Sequence, residues 1–376
     1  MIGIMSDKNY HEIVLTGASA SGKTTALSYL AQELEDRGIK VLSCPETATI
    51  LLQSGLGDVP AYREEYPERF WCLQKSILGL QLEMREHMRR QAQAIEGQVV
   101  ILYDRGEMDV LAYAGEELFS KMLAEEGLTK TELRDQYDAI IHLVSVAVDY
   151  PQFYNNHNNP ARWEDPEQAK ATNKRLLHAW TGAPHLWVVD NQHRLEGKLE
   201  RTLDIVLHTM GLPQPVEREH KFLLGLAPNE QELLEHGASR IDIEQYYLEG
   251  PLGSFRIRAR SQGGVATYYH TVKEELDDGT RAEYEHRISR DDYYRLLEES
   301  GGEKRVLRKH RWCFAQHGHY YELDHISLPE GDMWLLEVEV LPGDSSPLVP
   351  EWLGDVQEVT SSPDYSSSSL AKSAQD

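Results

Sequence analysis

The chain has 376 residues, which is long enough for two domains with separate hydrophobic cores. Its formal net charge of −24 argues against binding to duplex nucleic acid, because an acidic surface repels the phosphate backbone. The 3 cysteines lack disulfide or zinc spacing, and no stretch has the pattern of a signal peptide or a membrane-spanning helix, which together favour a cytoplasmic protein.

The first predicted strand, EIVLTG, runs into GASASGKTT, which matches the phosphate-binding pattern GxxxxGK[ST]. Glycines allow a tight turn whose backbone N–H groups point at phosphates from a helix N-terminus. Lys23 would contact the β and γ phosphates, and the Thr24 hydroxyl would bind magnesium. This P-loop predicts ATP or GTP as ligand, with the following contact residues: Gly17, Ser21, Gly22, Lys23, Thr24 and Thr25.

The next two predicted strands, IKVLSCPE and GQVVILYDRG, each end in charged residues. Ligands of α/β proteins bind at this end of the strands. Glu46 is either a general base or a carboxylate that stabilises the N-terminus of the next helix. Asp104 is a candidate magnesium-binding acid, and Arg105 a candidate clamp for phosphate or acceptor. Asp109 follows one helical turn on and either faces the same site or is a solvated helix residue, and we favour the second interpretation.

YDAIIHLVSVA and HLWVVDN are the fourth and fifth predicted strands. The segment between them is polar and then helical, which is typical of a lid that closes over phosphates. Arg162 is predicted to reach the transferring phosphoryl group, whereas Lys174 and Arg175 are interpreted as surface charges. Residues 1–208 are therefore predicted to form an α/β P-loop domain with a parallel sheet.

Four elements, GASASGKT, CPETA, YDRGEMDVLAY and VVDN, resemble the AAA-type P-loop domain of NadR-like nicotinamide riboside kinases and TRPL translocation defect proteins. The resemblance covers roughly residues 11–208. It implies either a kinase or a nucleotide-binding regulator, since that group includes both.

A Pro-containing stretch, residues 209–215, is the predicted linker to a second domain at residues 216–343. Short strands with alternating polarity dominate this domain. The remaining residues, 344–376, are polar and Ser-rich and are predicted to be disordered.

Charges in the second domain alternate with apolar residues, and they sort by strand into acidic and basic pairs. VEREHKFLL and WLLEVEV carry acidic pairs, whereas SFRIRAR and KHRW carry basic ones. Such alternation commonly marks a solvated face of a sheet. The acidic pairs, however, lie at the two ends of the region and would meet only if the sheet closes on itself.

The order of these strands resembles the CYTH family, or triphosphate tunnel metalloenzymes, across about residues 215–341. The resemblance implies an eight-stranded antiparallel tunnel that holds a triphosphate or polyphosphate with Mg²⁺ or Mn²⁺. Arg260 would lie at the tunnel mouth, outside the site. The implied metal ligands are Glu217, Glu219, Glu285, Asp324, Glu337 and Glu339. The implied phosphate-binding residues are Lys221, Arg256, Arg258, Lys273, Lys309 and Arg311.

Three functions fit the sequence. The first is a two-domain enzyme that binds nucleotide and hydrolyses a triphosphate in the tunnel, with the following candidate catalytic residues: Glu46, Asp104, Lys273 and Arg311. The second is a regulator with little turnover that binds a nucleotide and a phosphorylated ligand such as a phosphoinositide. The third is a small-molecule kinase whose tunnel domain modulates it.

Overall fold

The computed structural model describes residues 8–56, 63, 65–154, 164–192, 194–213, 218–250, 253–275, 281–341, 344 and 346–374. The chain divides into two compact units between Val206 and Leu207, close to the predicted boundary at residue 208. No helix in these ranges is long and apolar enough to span a membrane.

The first unit is built on five parallel strands, as the sequence predicted. They are β1 (Tyr10–Thr16), β2 (Lys40–Cys44), β3 (Val99–Asp104), β4 (Ala139–Leu143) and β5 (Leu186–Val189), paired in the order β2-β3-β1-β4-β5. Every residue of β4 and β5 is buried, which explains why these strands read as continuous apolar runs rather than as alternating ones.

Nine helices of the first unit connect or flank these strands in the described ranges. They are α1 (Lys23–Asp36), α2 (Thr47–Leu51), α3 (Pro67–Gln93), α4 (Glu107–Ala114), α5 (Glu116–Glu126), α6 (Lys130–Arg134), α7 (Val146–Asp149), α8 (Pro166–Trp180) and α9 (Leu195–Thr209). A π-helical turn at Leu52–Leu56 and a 3₁₀ turn at Pro151–Phe153 add to them. Six residues, 17–22, separate the end of β1 from the start of α1, so the P-loop fills the whole connection.

The second unit contains one antiparallel sheet with nine strands in the part of the chain described. They are β6 (Glu219–Leu224), β7 (Ser239–Gly250), β8 (Gly253–Gln262), β9 (Val265–Glu275), β10 (Arg281–Ile288), β11 (Gly301–Gln316), β12 (His319–Leu328), β13 (Gly331–Glu339) and β14 (Val356–Glu358). Their order is β10-β9-β8-β7-β11-β12-β13-β6-β14. Two helices, α10 (Glu230–Glu235) and α11 (Arg290–Glu299), interrupt the strands.

Strands β6 to β13 come from the predicted second domain, whereas β14 comes from the predicted tail. The expectation of a disordered tail over residues 344–376 is wrong for the residues that the structure describes. Helix α12 (Ser367–Ser373) follows β14, with 3₁₀ turns at Glu351–Leu353 and Pro363–Tyr365. The Ser-rich composition concealed a few apolar residues, Leu353, Val359 and Leu370 among them, that other strands bury.

The two faces of this sheet differ in chemistry. One face carries an apolar cluster that includes Phe222, Trp312, Leu323 and Leu336. Alternation along the strands turns their sequence neighbours, Lys221, Arg311, Asp324 and Glu337, to the opposite face. These four charged residues are also buried, each at most 8% exposed, so the second face is not a solvated one.

Candidate functional site

The P-loop of the first unit requires glycine at its two ends. Gly17 has φ 142° and Gly22 has φ 91°, both in the region that favours glycine. A side chain at Gly17 would place its Cβ only 2.3 Å from the carbonyl oxygen of Leu143 on β4. The loop therefore lies close against the end of the sheet. It leads into the N-terminus of α1, where free backbone N–H groups favour an anion.

Lys23 lies under this loop as the first residue of α1. Its ammonium donates a hydrogen bond of 2.8 Å to the carbonyl oxygen of Gly17. Burial and the positive charge of Arg105 lower the pKa of Lys23 to about 8. Thr24 and Thr25 follow on α1 with exposed side chains, whereas Ser21 is buried.

Glu46, Asp104 and Arg105 meet at the carboxyl ends of β2 and β3, beside the P-loop, as predicted from their positions after these strands. Arg105 has φ 73°, an unusual conformation for a residue with a side chain, and its Nε donates to Glu46. Burial raises the pKa of Asp104, against the effect of the nearby Lys23 charge. Within the described residues, Asp104 Oδ1 is buried and has no hydrogen-bond donor.

Glu46 is held as a carboxylate by its neighbours. Burial acts to raise its pKa, but the charges of Arg105 and Lys23 and a 2.7 Å hydrogen bond from Thr49 outweigh burial and bring the pKa to about 2. A carboxylate with so low a pKa accepts a proton poorly, so this arrangement favours Glu46 as a partner of Arg105 over Glu46 as a general base.

Asp109 differs from its interpretation as a solvated residue. It is 2% exposed and accepts hydrogen bonds from Thr16 Oγ1 at 2.5 Å, from Trp180 Nε1 at 2.9 Å and from the Gly106 N–H at 3.0 Å. The interpretation is wrong because donors from β1 and α8 converge on this carboxylate, and α8 is distant in sequence. Asp109 therefore fixes the start of α4 beside the site.

Lys174 and Arg175 lie exposed on α8, in agreement with their interpretation as surface charges, whereas Arg162, the residue predicted for the lid, is outside the described residues. Sequence reasoning missed Glu164, which is 4% exposed and accepts hydrogen bonds from Ser19 of the P-loop at 2.9 Å and from Thr172 at 2.6 Å. No local pattern marks this residue, because its partner in the P-loop, Ser19, lies 145 residues earlier in the sequence.

The second candidate site is the charged face of the sheet in the second unit. At one side of it, Lys221 joins two carboxylates, since its Nζ lies 2.8 Å from Glu219 and 2.8 Å from Glu337. Burial and the charge of Glu337 raise the pKa of Glu219. Burial acts in the same direction on Glu337, but Lys221, Lys309 and Arg311 hold its pKa well below the ordinary value.

Lys309 and Arg311 form the centre of this face together with Asp324, which is 0% exposed. Lys309 lies 2.5 Å from Asp324, and Arg311 lies 2.7 Å from both Asp324 and Glu337. Arg311 also pairs with Glu322, a residue absent from the predicted site. The alternation of Glu322 and Asp324 along β12 was the available signal for it.

Strands β8, β9 and β10 supply the remaining charges. Arg256 lies 2.7 Å from Glu283 and 3.0 Å from Glu285, and Lys273 lies 2.6 Å from Glu283. The Lys273 side chain is 38% exposed, so this residue belongs to the edge of the cluster rather than its centre.

Arg258 is only weakly paired on this face. Its ion pair to Glu285 is 3.6 Å long, and its Nε is buried without a hydrogen-bond acceptor. Burial and the charge of Arg256 lower the pKa of Arg258. Such a guanidinium gains from an anionic ligand, because an unsatisfied buried donor costs free energy.

Arg260 does not lie at a mouth, as the sequence suggested, because it is 1% exposed. The SQGG sequence misled the prediction: β8 continues to Gln262, so Arg260 is still inside the strand. Burial acts to raise the pKa of Glu322, but the positive charges of Arg311 and Arg260 outweigh burial and lower this pKa. Arg260 therefore belongs to the charged face.

The predicted metal ligands do not form one coordination shell. Glu339 is exposed and lies 3.4 Å from His208, while Glu217 is outside the described residues. Glu219, Glu285, Asp324 and Glu337 instead pair with lysine or arginine. Among residues with described positions, no group of three or more histidine, cysteine, aspartate or glutamate side chains is arranged to hold a metal ion. Carboxylate oxygens are nevertheless the donors that Mg²⁺ and Mn²⁺ prefer.

Residues 12–198 match the family described as an AAA domain. The chain is also similar to three solved structures. The inorganic triphosphatase NE1496 is 30% identical, with 41% of this chain and 93% of that chain covered and a TM-score of 0.28. The PH1012 protein from Pyrococcus horikoshii OT3 is 24% identical, with 34% and 80% covered and a TM-score of 0.25.

The third structure is the putative adenylyl cyclase HpAC1 from Hippeastrum, described as having a dominant triphosphatase activity. It is 19% identical, with 34% of this chain and 80% of that chain covered and a TM-score of 0.23. No curated protein matches this sequence.

Proposed function

We propose that this chain, whose N-terminal region is an AAA-like P-loop domain, binds ATP or GTP there and hydrolyses a triphosphate or polyphosphate on the charged face of its second unit. The proposal that the second unit hydrolyses a triphosphate rests on the burial of this charged face. Six basic residues lie there among carboxylates, and they are Lys221, Arg256, Arg258, Arg260, Lys309 and Arg311.

In the P-loop domain, the turn between Gly17 and Gly22 offers backbone N–H groups to the phosphates, and Lys23 adds a positive charge. Thr24 and Asp104 would hold Mg²⁺, and the buried, unpaired oxygen of Asp104 is consistent with this role. Arg105 would contact phosphate from the neighbouring strand end.

In the second unit, the balance of charges favours a polyanion that arrives with divalent cations. Phosphate oxygens would replace the carboxylates as partners of the lysines and arginines, and the cations would replace the basic groups as partners of the carboxylates. Glu219 and Glu337 are suitably placed for a cation because one ammonium already bridges them. In this proposal, strands β6 to β13 wrap into an eight-stranded tunnel of the CYTH type.

Hydrolysis requires a water molecule to attack phosphorus while the bridging oxygen leaves with the P–O bond electrons. The divalent metal, when bound, neutralises phosphate charge and favours the deprotonated water. Arg311 and Arg258 would stabilise the negative charge that develops on the phosphoryl oxygens, and Lys273 would contact the leaving phosphate from the edge. One P–O–P bond breaks, and its two products retain all the phosphate oxygens plus the oxygen of water.

A regulator with little turnover is the second candidate, and one observation favours it. The carboxylates of the charged face are already satisfied by lysine and arginine, so the face is stable without a metal. A phosphorylated ligand, such as a phosphoinositide headgroup, would then bind without being cleaved. A kinase reaction in the P-loop domain is less favoured, because its candidate general base, Glu46, is paired with Arg105.

Phosphate release from ATP, GTP, tripolyphosphate and pyrophosphate with Mg²⁺ or Mn²⁺ tests the proposal. We expect Arg258→Gln to lower release from tripolyphosphate at least ~10-fold, which corresponds to about 1.4 kcal/mol. Lys23→Met should leave that release unchanged and weaken nucleotide binding by a similar factor. Arg308→Gln and Lys40→Met are matched controls, because both change exposed basic residues of the same units.

Three outcomes decide between the functions. Loss of release in Arg258→Gln alone supports hydrolysis on the charged face. Loss in Lys23→Met alone would place the chemistry in the P-loop domain. Binding of nucleotide and tripolyphosphate without release by the wild-type chain would favour the regulator.

A further inference from the structure

A neutral amide lies among the charged residues of the second unit. Gln245 is on β7, which runs between β8 and β11 in the sheet. It is paired with Arg258 on β8 and with Leu307 on β11, two residues before Lys309. Residues paired in this way point to the same face of a sheet, so the Gln245 side chain belongs to the charged face. Gln245 is 0% exposed.

The nitrogen and the oxygen of this amide differ in their partners. The nitrogen, Nε2, donates a hydrogen bond of 2.9 Å to the hydroxyl of Tyr247 on the same strand. The oxygen, Oε1, is buried and has no hydrogen-bond donor among the residues that the structure describes. An unsatisfied buried acceptor costs free energy, so this oxygen favours a ligand that donates a hydrogen bond.

An unsatisfied donor lies on the neighbouring strand. The Nε of Arg258 is buried without an acceptor in the described structure, and Arg258 is directly opposite Gln245. The Cβ atoms of two residues paired in this way are roughly 5 Å apart. An ionised phosphate oxygen can accept from the arginine but has no proton to donate to the glutamine. A water molecule satisfies both atoms, since it donates to Oε1 and accepts from Nε.

From these contacts we propose that Gln245 is a catalytic residue of the second unit, whose Oε1 accepts a hydrogen bond from the water that attacks phosphorus. This role rests on the proposed hydrolysis and names the residue that orients its nucleophile. An amide suits the role better than a carboxylate, because carboxylates of this face form ion pairs with lysine and arginine. A neutral oxygen beside Arg258 stays available to the water.

The amide orients the water but does not take its proton, because a carboxamide is not basic at neutral pH. A lone pair of the water oxygen forms the new bond to phosphorus, and the bridging P–O bond breaks with its electron pair on the leaving oxygen. The attacking oxygen keeps one proton. The other proton, held until then by Gln245, passes to an oxygen of the transferred phosphoryl group. Tripolyphosphate and water thus give dihydrogen phosphate and diphosphate.

Steady-state phosphate release from tripolyphosphate by the full chain with Mg²⁺ tests this role. Gln245→Met keeps the length of the side chain and removes the acceptor. We expect it to lower kcat at least ~10-fold while KM changes less than about 3-fold, because the contact is made to the attacking water and not to the phosphate chain. Gln231→Met, at an exposed glutamine of α10, is the matched control and should retain the wild-type kcat.

A second substitution, Gln245→Glu, keeps the size of the side chain but introduces a carboxylate that would pair with Arg258. It should also lower kcat at least ~10-fold, since the paired oxygens no longer hold the water. Calorimetric titration with tripolyphosphate and Mg²⁺ should give wild-type affinity for Gln245→Met, which shows that the charged face is still folded.

A wild-type kcat in either Gln245 variant would overturn the inference. So would a loss of tripolyphosphate affinity in Gln245→Met as large as its loss of kcat, since the amide would then hold the phosphate chain or the fold rather than the water. Release that Arg258→Gln lowers and Gln245→Met does not would reject this role and leave the proposed hydrolysis standing. If wild type releases no phosphate, both fail together.

Discussion

At the scale of single residues, the protonation state of Lys23 should make nucleotide binding to the P-loop depend on pH. Burial and Arg105 lower its pKa to about 8, so the ammonium is charged below that pH and loses its proton above it. A bound phosphate favours the charged form and raises the pKa again. We therefore expect nucleotide binding near pH 8 to take up a proton, and affinity to fall as the pH rises further.

Calorimetric titration in two buffers with different ionisation enthalpies measures this uptake directly. Lys23→Met should abolish it, while Lys40→Met, at an exposed lysine of the same unit, should retain it. Equal proton uptake in wild type and Lys23→Met would show that another group titrates.

Glu46 gives a second prediction for a single residue, concerning stability. Its folded pKa of about 2 lies below the ordinary value of 4.5, so its stabilising effect is present above pH 4.5 and is lost as the pH falls towards 2. Because Glu46 is partly exposed, we expect Glu46→Gln to destabilise the protein by roughly 2 kcal/mol at neutral pH. Urea unfolding from neutral pH downwards should show this difference shrinking.

Glu33→Gln is the control for this effect, since Glu33 also pairs with an arginine, Arg37, but on an exposed helix surface. Its cost should stay within about 1 kcal/mol. A pH-independent effect of Glu46→Gln would mean that packing, not charge, is what the substitution removes.

At the scale of elements, the connection between β1 and α1 depends on close backbone contact. Gly17→Ala would bring a Cβ within 2.3 Å of the Leu143 carbonyl oxygen at a φ of 142°. A backbone carbonyl cannot move away as a flexible side chain can, so we expect Gly17→Ala to lower the free energy of unfolding by at least ~2 kcal/mol. We also expect this variant to lose nucleotide binding.

Gly79→Ala is the opposite case, because Gly79 lies inside α3 with nothing near its missing side chain. It should stabilise the protein by about 0.5–1 kcal/mol. Thermal unfolding of both variants checks the pair, and a neutral Gly17→Ala would show that the loop can move away from β4.

At the scale of the whole molecule, each compact unit carries its own candidate site. A ligand that binds only the folded state stabilises the unit to which it binds. Scanning calorimetry should therefore show a nucleotide-dependent shift that Lys23→Met removes and a tripolyphosphate-dependent shift that Arg258→Gln removes. If one transition responds to both ligands and both substitutions remove both shifts, the sites are not independent.

Much of this organisation followed from the sequence because its signals are local. The P-loop pattern, the charged residues at the ends of β2 and β3, and the alternation of charges along β8 and β11 each lie within a few consecutive residues. Hydrophobic runs likewise predicted the parallel sheet of the first unit, since strands covered on both faces must be apolar throughout.

The tertiary structure decided the features that depend on partners distant in sequence. Asp109 and Glu164 are buried because donors from other segments converge on them, and Arg260 is enclosed because β8 extends further than its turn sequence suggested. The tail folds because Leu307, Ile326 and Leu335, which lie 35 or more positions earlier in the sequence, bury Leu370, and composition could not show this. Periodicity fixes which residues share a face, but only the packed chain determines whether that face is solvated, enclosed or covered by a helix.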